Sequence, residues 1–483
     1  MLKHLYLSDR YTLKVSKING LLQALSPAEI PLFRARLARG KGDLRGNLLP
    51  LFDVLLPVAR ESGVDADKRS VFKRCFPGKK FSDQQYRYFI SDLSGHLEIF
   101  IAKRGFEKDK ALFTEVLSRE LASRGAVKAY NSRRLDFETE REEAPVRDIS
   151  YYRHCFESEL IHLEKATAGM KRNKESNIAE TVDYLDRFYL AQKLRLSCEI
   201  YNVRNVLAVE YKVFLLDEIR AHLKNKTYAD TPVILVYYKV LMTLLESEQE
   251  EHFFQLRQLL AQHEKNFRLQ ELREFYQYVL NYCIKKINLG NIGWQRTLFE
   301  IFKTTIENGV LMSEGYLSHL DYKNIVTISL RQKEYDWVKI FIDKYNKVLL
   351  PQERHNAYIY NLANVYFNTG EYSKSLKLLQ QVEFSDLYYQ LDSKSILLKT
   401  WFELDETESF LYHASAFRIF LKRNKLVSDY QRTIYQNLIR YSAMLHRAGN
   451  SKRKIAEVRK RAEKNRNIAD LQWLLNKIDA QIS

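Results

Sequence analysis

Cys155, Glu159 and His162 stand at i, i+4 and i+7, so a helix through them carries a thiol, a carboxylate and an imidazole on one face. Three such ligands could hold a zinc ion. The competing reading is a buried cysteine, a solvated glutamate and a flanking histidine, and the absence of a second ligand cluster favours it. Gly40, Gly42 and Gly46 lie among Arg39, Lys41 and Arg45, a composition able to cradle a phosphate. Their spacing is not that of a dinucleotide fingerprint and no strand precedes them, so a solvated loop is the stronger reading. No HExxH, GxSxG or Walker sequence occurs. No catalytic residue, metal or cofactor can be named, and an enzyme is not expected.

A denser cluster combines Lys68, Arg69, Lys73, Arg74, Lys79, Lys80 and Arg87 with Phe72, Phe76, Phe81 and Tyr86. A short helix, a turn and a longer helix so charged could sit on a phosphate backbone. Against this, the rings can be core and the cations its wet face, the reading given more weight. Net charge is +17, of which residues 1–105 contribute +9 and residues 446–466 contribute +7, leaving the remainder close to neutral. A polyanion would therefore meet the two ends. In the second basic segment, Lys452, Arg453, Lys454, Arg459, Lys460 and Arg461 read as a solvated helix face.

The elements that must carry these residues are helices. Hydrophobic content is 46%, with 8 prolines and 16 glycines in 483 residues, and apolar residues recur at helical period. The four cysteines form no CxxC pair, which fits a reducing cytoplasm. Leu48 to Ala59 is interrupted by Asp53 and is too short to span a bilayer, so no membrane partner is expected.

Residues 17–105 read as a compact helical module. Ser26-Pro27-Ala28-Glu29 and Ser82-Asp83-Gln84-Gln85 are capping-box sequences, and Phe76-Pro77-Gly78 is a turn. The order LSPAE, then an aromatic-leucine helix, then VFKRCFPGKKFSDQQYRYFISDL resembles the N-terminal region of a family of uncharacterised bacterial proteins with tetratricopeptide-like C-terminal halves, and NYCIKKINLGN from Asn281 to Asn291 agrees with it. The resemblance covers most of the chain and implies a helical fold but no activity. The glycine-basic loop departs from that family's more aromatic, Asn-rich segment.

Glu107 to Glu143 reads as helical, and Pro145 marks the expected junction between an N-terminal module, residues 1–145, and a repeat array, residues 146–483. The clearest repeat is Asn356 to Leu387, where Gly370 separates two helices. Sliding Ile325–Ile342 by 37 residues superposes the two Glu-Tyr pairs, Glu334-Tyr335 and Glu371-Tyr372, and sets Lys333 on Gly370. The expected fold is all-α: a right-handed, tetratricopeptide-like superhelix behind a small helical module. The expected function is a protein-interaction scaffold that binds a peptide or partner helix on a concave face through outward Asn361, Asn364 and Asn368. The alternative is a nucleic-acid-binding or regulatory adaptor working through the basic N-terminal module.

Overall fold

The computed structural model describes residues 16–41, 44–61, 67–168, 177–207, 211–225, 228–381, 387–465 and 467–482. The protein is all-α, with 23 α-helices among the described residues. It divides into two compact units, Met1–Arg268 and Leu269–Ser483.

The first unit begins with α1 (Lys17–Gln23), α2 (Glu29–Arg39), α3 (Leu49–Glu61), α4 (Lys68–Cys75) and α5 (Asp83–Lys108). These share a core in which Phe33, Leu37, Phe52, Phe72, Leu93 and Leu97 are almost fully buried. Each such side chain contributes about 1.5–3 kcal/mol by leaving water. On α5, Tyr86, Leu93, Leu97 and Phe100 follow helical spacing and fall on the buried side. Asp67 caps α4 by accepting from Ser70 N at 2.8 Å, and Ser82 caps α5 by accepting from Gln85 N at 3.3 Å. Ser26 is different: α2 starts only at Glu29, whose carboxylate accepts from Ser26 N and Oγ. A hydrogen bond from Lys108, with those from Ser26, lowers the Glu29 pKa to about 2.

Next come α6 (Lys110–Ser123), α7 (Val127–Glu143), α8 (Ile149–Ala168), α9 (Ile178–Leu207), α10 (Leu216–Asn225), α11 (Pro232–Leu245) and α12 (Glu251–His263). The stretch read as helical from Glu107 to Glu143 holds the end of α5, α6 and α7, with Gly125 taking φ +68° between α6 and α7. The compact units divide after Arg268, not at the expected junction near Pro145. The reason is physical: α8 packs against α6 and α9, and charges on α7 are clamped to α8, so packing runs straight through residue 145.

The second unit opens with α13 (Leu269–Asn288), α14 (Trp294–Glu307) and a two-residue hairpin, β1 (Met312–Ser313) with β2 (Tyr316–Leu317). Glu314 and Gly315, at φ +50° and +83°, make its turn. Then follow α15 (His319–Arg331), α16 (Tyr335–Tyr345), α17 (Pro351–Asn368), α18 (Tyr372–Leu379), α19 (Leu387–Glu403), α20 (Thr407–Arg423), α21 (Asp429–Ala448), α22 (Lys452–Lys464) and α23 (Leu471–Ile482).

Four helix-to-helix connections in this unit have one geometry. Gly290, Lys333, Gly370 and Asp405 adopt positive φ, and the next residue in each case donates its N–H five residues back: Asn291 to Lys286 O, Glu334 to Ser329 O, Glu371 to Tyr366 O, Glu406 to Trp401 O. This is the Schellman ending, which satisfies carbonyls the helix would otherwise leave open. Lys333 and Asp405 hold it without glycine. Packing joins each helix to its neighbours, and α15, α17, α19 and α21 also touch in succession.

Candidate functional site

The residues of the sequence-derived metal cluster are engaged elsewhere. Glu159 is not solvated but fully buried. Its Oε1 accepts from Arg134 at 2.6 Å and Arg141 at 3.0 Å, and its Oε2 accepts from Asn177 at 2.8 Å. A buried carboxylate with two guanidiniums is a structural clamp, here between α7 and α8. Burial raises the Cys155 thiol to about 12, so it stays protonated, and burial lowers the pKa of His162, whose Nδ1 lies 3.3 Å from Tyr130 Oη. Among the described residues no group of three His, Cys, Asp or Glu side chains is arranged to hold a metal ion. In the glycine-basic loop, Gly42 lies outside the described residues. Gly46 sits in a π-helical turn, Leu44–Leu48, and not in an open loop.

In the basic aromatic cluster, Phe72, Phe76 and Tyr86 are buried, and the Phe72 ring meets Phe76 at a tilt and Phe81 edge-on. The seven cations lie exposed outside them. Lys68 and Arg87 share Asp83, Arg69 covers the Phe81 ring at 5.7 Å, and Lys79 covers Phe76 at 5.3 Å. Lys73, Arg74 and Lys80 have no carboxylate partner among the described residues. In α22, Lys452, Arg453 and Lys454 are exposed, whereas Arg459 pairs with Glu463 and Asp479 and Arg461 with Glu457.

The asparagine row on α17 divides. Asn361, expected to face outward, is fully buried, and its Nδ2 donates to Ala357 O at 2.8 Å. Asn364 is half-buried and Asn368 exposed; Asn368 Nδ2 donates to Asn364 O at 2.8 Å and Oδ1 at 3.0 Å. The middle of α17 is enclosed by α15, α16, α18 and α19, while Asn368 belongs to its last turn. Periodicity locates one apolar face but cannot announce that the opposite face is covered too.

That enclosure creates a set of buried charges. Lys323 on α15 is paired with Asp392 on α19, which also accepts from Tyr435 Oη of α21 at 2.7 Å. The Lys323 ammonium lies 4.9 Å from the Tyr389 ring and 5.8 Å from Tyr360. Lys399 pairs with Asp470, 4.7 Å from the Phe367 ring, and Glu403 accepts from Trp473 Nε1 at 2.7 Å and pairs with Lys477 at 2.6 Å. Every charge here has a partner inside the fold, so the cluster locks α15, α19 and α21 together and tethers α23.

The opposite condition holds between α20 and α21. A cleft of about 630 Å³ is lined by Arg418 and Lys422 from α20 and by Arg432, Gln436 and Arg440 from α21. Arg418, Lys422, Gln436 and Arg440 are exposed, and Arg432 is half-buried. Among the described residues none of these four cations is ion-paired with a carboxylate. Arg432 Nη2 donates to Asn424 O at 3.3 Å and Val427 O at 3.1 Å, which fastens the α20–α21 connection and leaves its charge uncompensated. The arrangement is suited to attract and hydrogen-bond an anion.

Sequence reasoning missed this cleft. Residues 407–445 carry 6 Lys and Arg against 2 Asp and Glu, an excess hidden inside a remainder that sums to near zero. The signal available was Arg418 with Lys422 at i, i+4 and Arg432, Gln436 and Arg440 at i, i+4 and i+8. Compared with protein-family models, curated proteins and solved structures, the chain finds no match in any of the three.

Proposed function

We propose that this chain is a non-enzymatic interaction scaffold whose second unit is a right-handed, tetratricopeptide-like array holding a peptide segment or a partner helix along its row of first helices. The observation that carries the reading is the succession α15, α17, α19 and α21, each touching the next, with α15, α17 and α19 each left through the same turn. Buried ion pairs across that row fix the spacing of the helices, so a peptide would meet a preformed surface and lose less entropy on binding. Asn364 and Asn368 remain the residues assigned to contact it; Asn361 supports α17 from inside. Four buried cysteines, none in a disulfide, accord with a reducing compartment such as the cytoplasm. Among the described residues no helix is long and apolar enough to cross a membrane.

Selection of a displayed peptide library on the full chain tests the proposal. Enriched sequences should lose binding when Asn364 and Asn368 are replaced by Arg. No enrichment over the unselected library would overturn it.

A second reading, nucleic-acid binding by the N-terminal module, is supported by the uncompensated charge of Lys73, Arg74 and Lys80. It requires a gel shift that weakens steeply with salt; no retardation at low ionic strength would remove it.

A further inference from the structure

We infer that the cleft between α20 and α21 binds an extended acidic peptide whose carboxylates occupy alternate positions. This rests on the scaffold reading for its use, and on the cleft's own chemistry for its specificity. Three arginines and a lysine, none neutralised within the described residues, converge on one depression. An arginine fork donates two parallel N–H···O bonds to a carboxylate.

The spacing fits an extended chain. Residues four apart on a helix are separated by about 6 Å along its axis, so Arg418 and Lys422 form one step, and Arg432, Gln436 and Arg440 form two. Alternate residues of an extended peptide recur about every 6.6–6.8 Å. Carboxylates at that interval can be met in turn from both walls, with Gln436 between the two guanidiniums of α21.

Gln436 also separates peptide from nucleic acid. Its side-chain amide offers one donor and one acceptor group, which matches a peptide unit, whereas a phosphodiester presents acceptors only. None of the five lining residues is aromatic, and sequence-tolerant binding of single-stranded nucleic acid depends on aromatic platforms for base stacking.

The test is fluorescence anisotropy on the full chain with a fluorescein-labelled (Glu-Ser)₆ peptide, a (Gln-Ser)₆ control and a labelled dodecathymidylate. The Glu peptide should bind roughly tenfold or more tightly than the Gln control, with affinity falling as salt rises. Arg418→Glu combined with Lys422→Glu should weaken it roughly tenfold, and Arg440→Glu should act in the same direction. Arg432 is left intact because it fastens the α20–α21 connection. Since neither Arg418 nor Lys422 makes a hydrogen bond or ion pair among the described residues, an unchanged melting curve should accompany the loss.

Equal binding of the Glu peptide by wild type and the α20 variant overturns the inference. Tighter binding of the oligonucleotide, lost in that variant, also overturns it and gives the cleft to nucleic acid. If library peptides bind but the Glu peptide does not, the acidic-peptide inference falls and the scaffold stands. If no peptide of any kind binds, both fall.

Discussion

Two regions of the second unit spend positive charge in opposite ways. Lys323 and Lys399 are buried, each facing a carboxylate and aromatic rings, so their charges are consumed in holding α15, α17, α19 and α23 in place. Arg418, Lys422, Arg432 and Arg440 line an open cleft without a carboxylate among the described residues. Burial decides the difference. A buried charge must be compensated within the fold, whereas an exposed cation is satisfied by water and is free to exchange it for a ligand.

The largest expected effect comes from breaking the committed pair. Lys323→Ala leaves Asp392 without its cation in an apolar surrounding and should destabilise the protein by about 3–5 kcal/mol, read by urea unfolding. Combining Lys323→Met, Asp392→Leu and Tyr435→Phe removes the whole polar set and should recover most of that loss. No recovery would mean that packing, not charge, is what the single substitution damaged.

Asp321, at the start of α15, is a carboxyl that lacks so close a partner among the described residues. Burial raises it from 3.8 to about 6, against the opposing charges of His319 and Arg273. Because the folded-state value lies above the unfolded one, the resulting cost is absent below the unfolded value, grows between 3.8 and about 6, and is complete above about 6. Asp321→Asn should therefore raise stability at neutral pH by about 1–3 kcal/mol. That advantage should vanish by about pH 4 in the same unfolding measurement. An advantage independent of pH would contradict the assignment.

The cleft should behave in the reverse sense to Lys323. Arg418→Glu with Lys422→Glu is expected to change stability by no more than about 0.5 kcal/mol while removing binding of the acidic peptide. A large stability loss would place these residues with the committed charges. The smallest effect is expected from the N-terminal surface, where Lys73→Gln, Arg74→Gln and Lys80→Gln together should stay within about 0.5 kcal/mol of wild-type stability and leave acidic-peptide binding unchanged. Loss of that binding would mean that charge at large, not the cleft, recruits the peptide.

Much of the helix layout was legible. Helix α11 begins at Pro232 and runs to Leu245, because proline at the first position and a run of apolar side chains act locally. The turn at Gly370 was equally plain. Asp405 was not, since a non-glycine residue held at positive φ leaves no mark in composition, and Lys333 was marked only by its alignment with Gly370. Of the candidate sites, the exposed cations of α4 and α5 were visible as a run. The α20–α21 cleft was not, because its residues come from two helices and their excess charge disappeared in a regional sum.

The sequence by itself determined the all-helical class, the compact core of the first five helices and the overall excess of positive charge. Those follow from local periodicity, capping and composition, which need no knowledge of neighbours. Tertiary structure alone decided that Asn361 and Glu159 are buried, that Lys323 meets Asp392 across 69 positions of chain, and that four cations from two helices share one cleft. Each of these depends on which helices enclose which, and burial, not residue type, sets whether a charge becomes part of the fold or stays available to a partner.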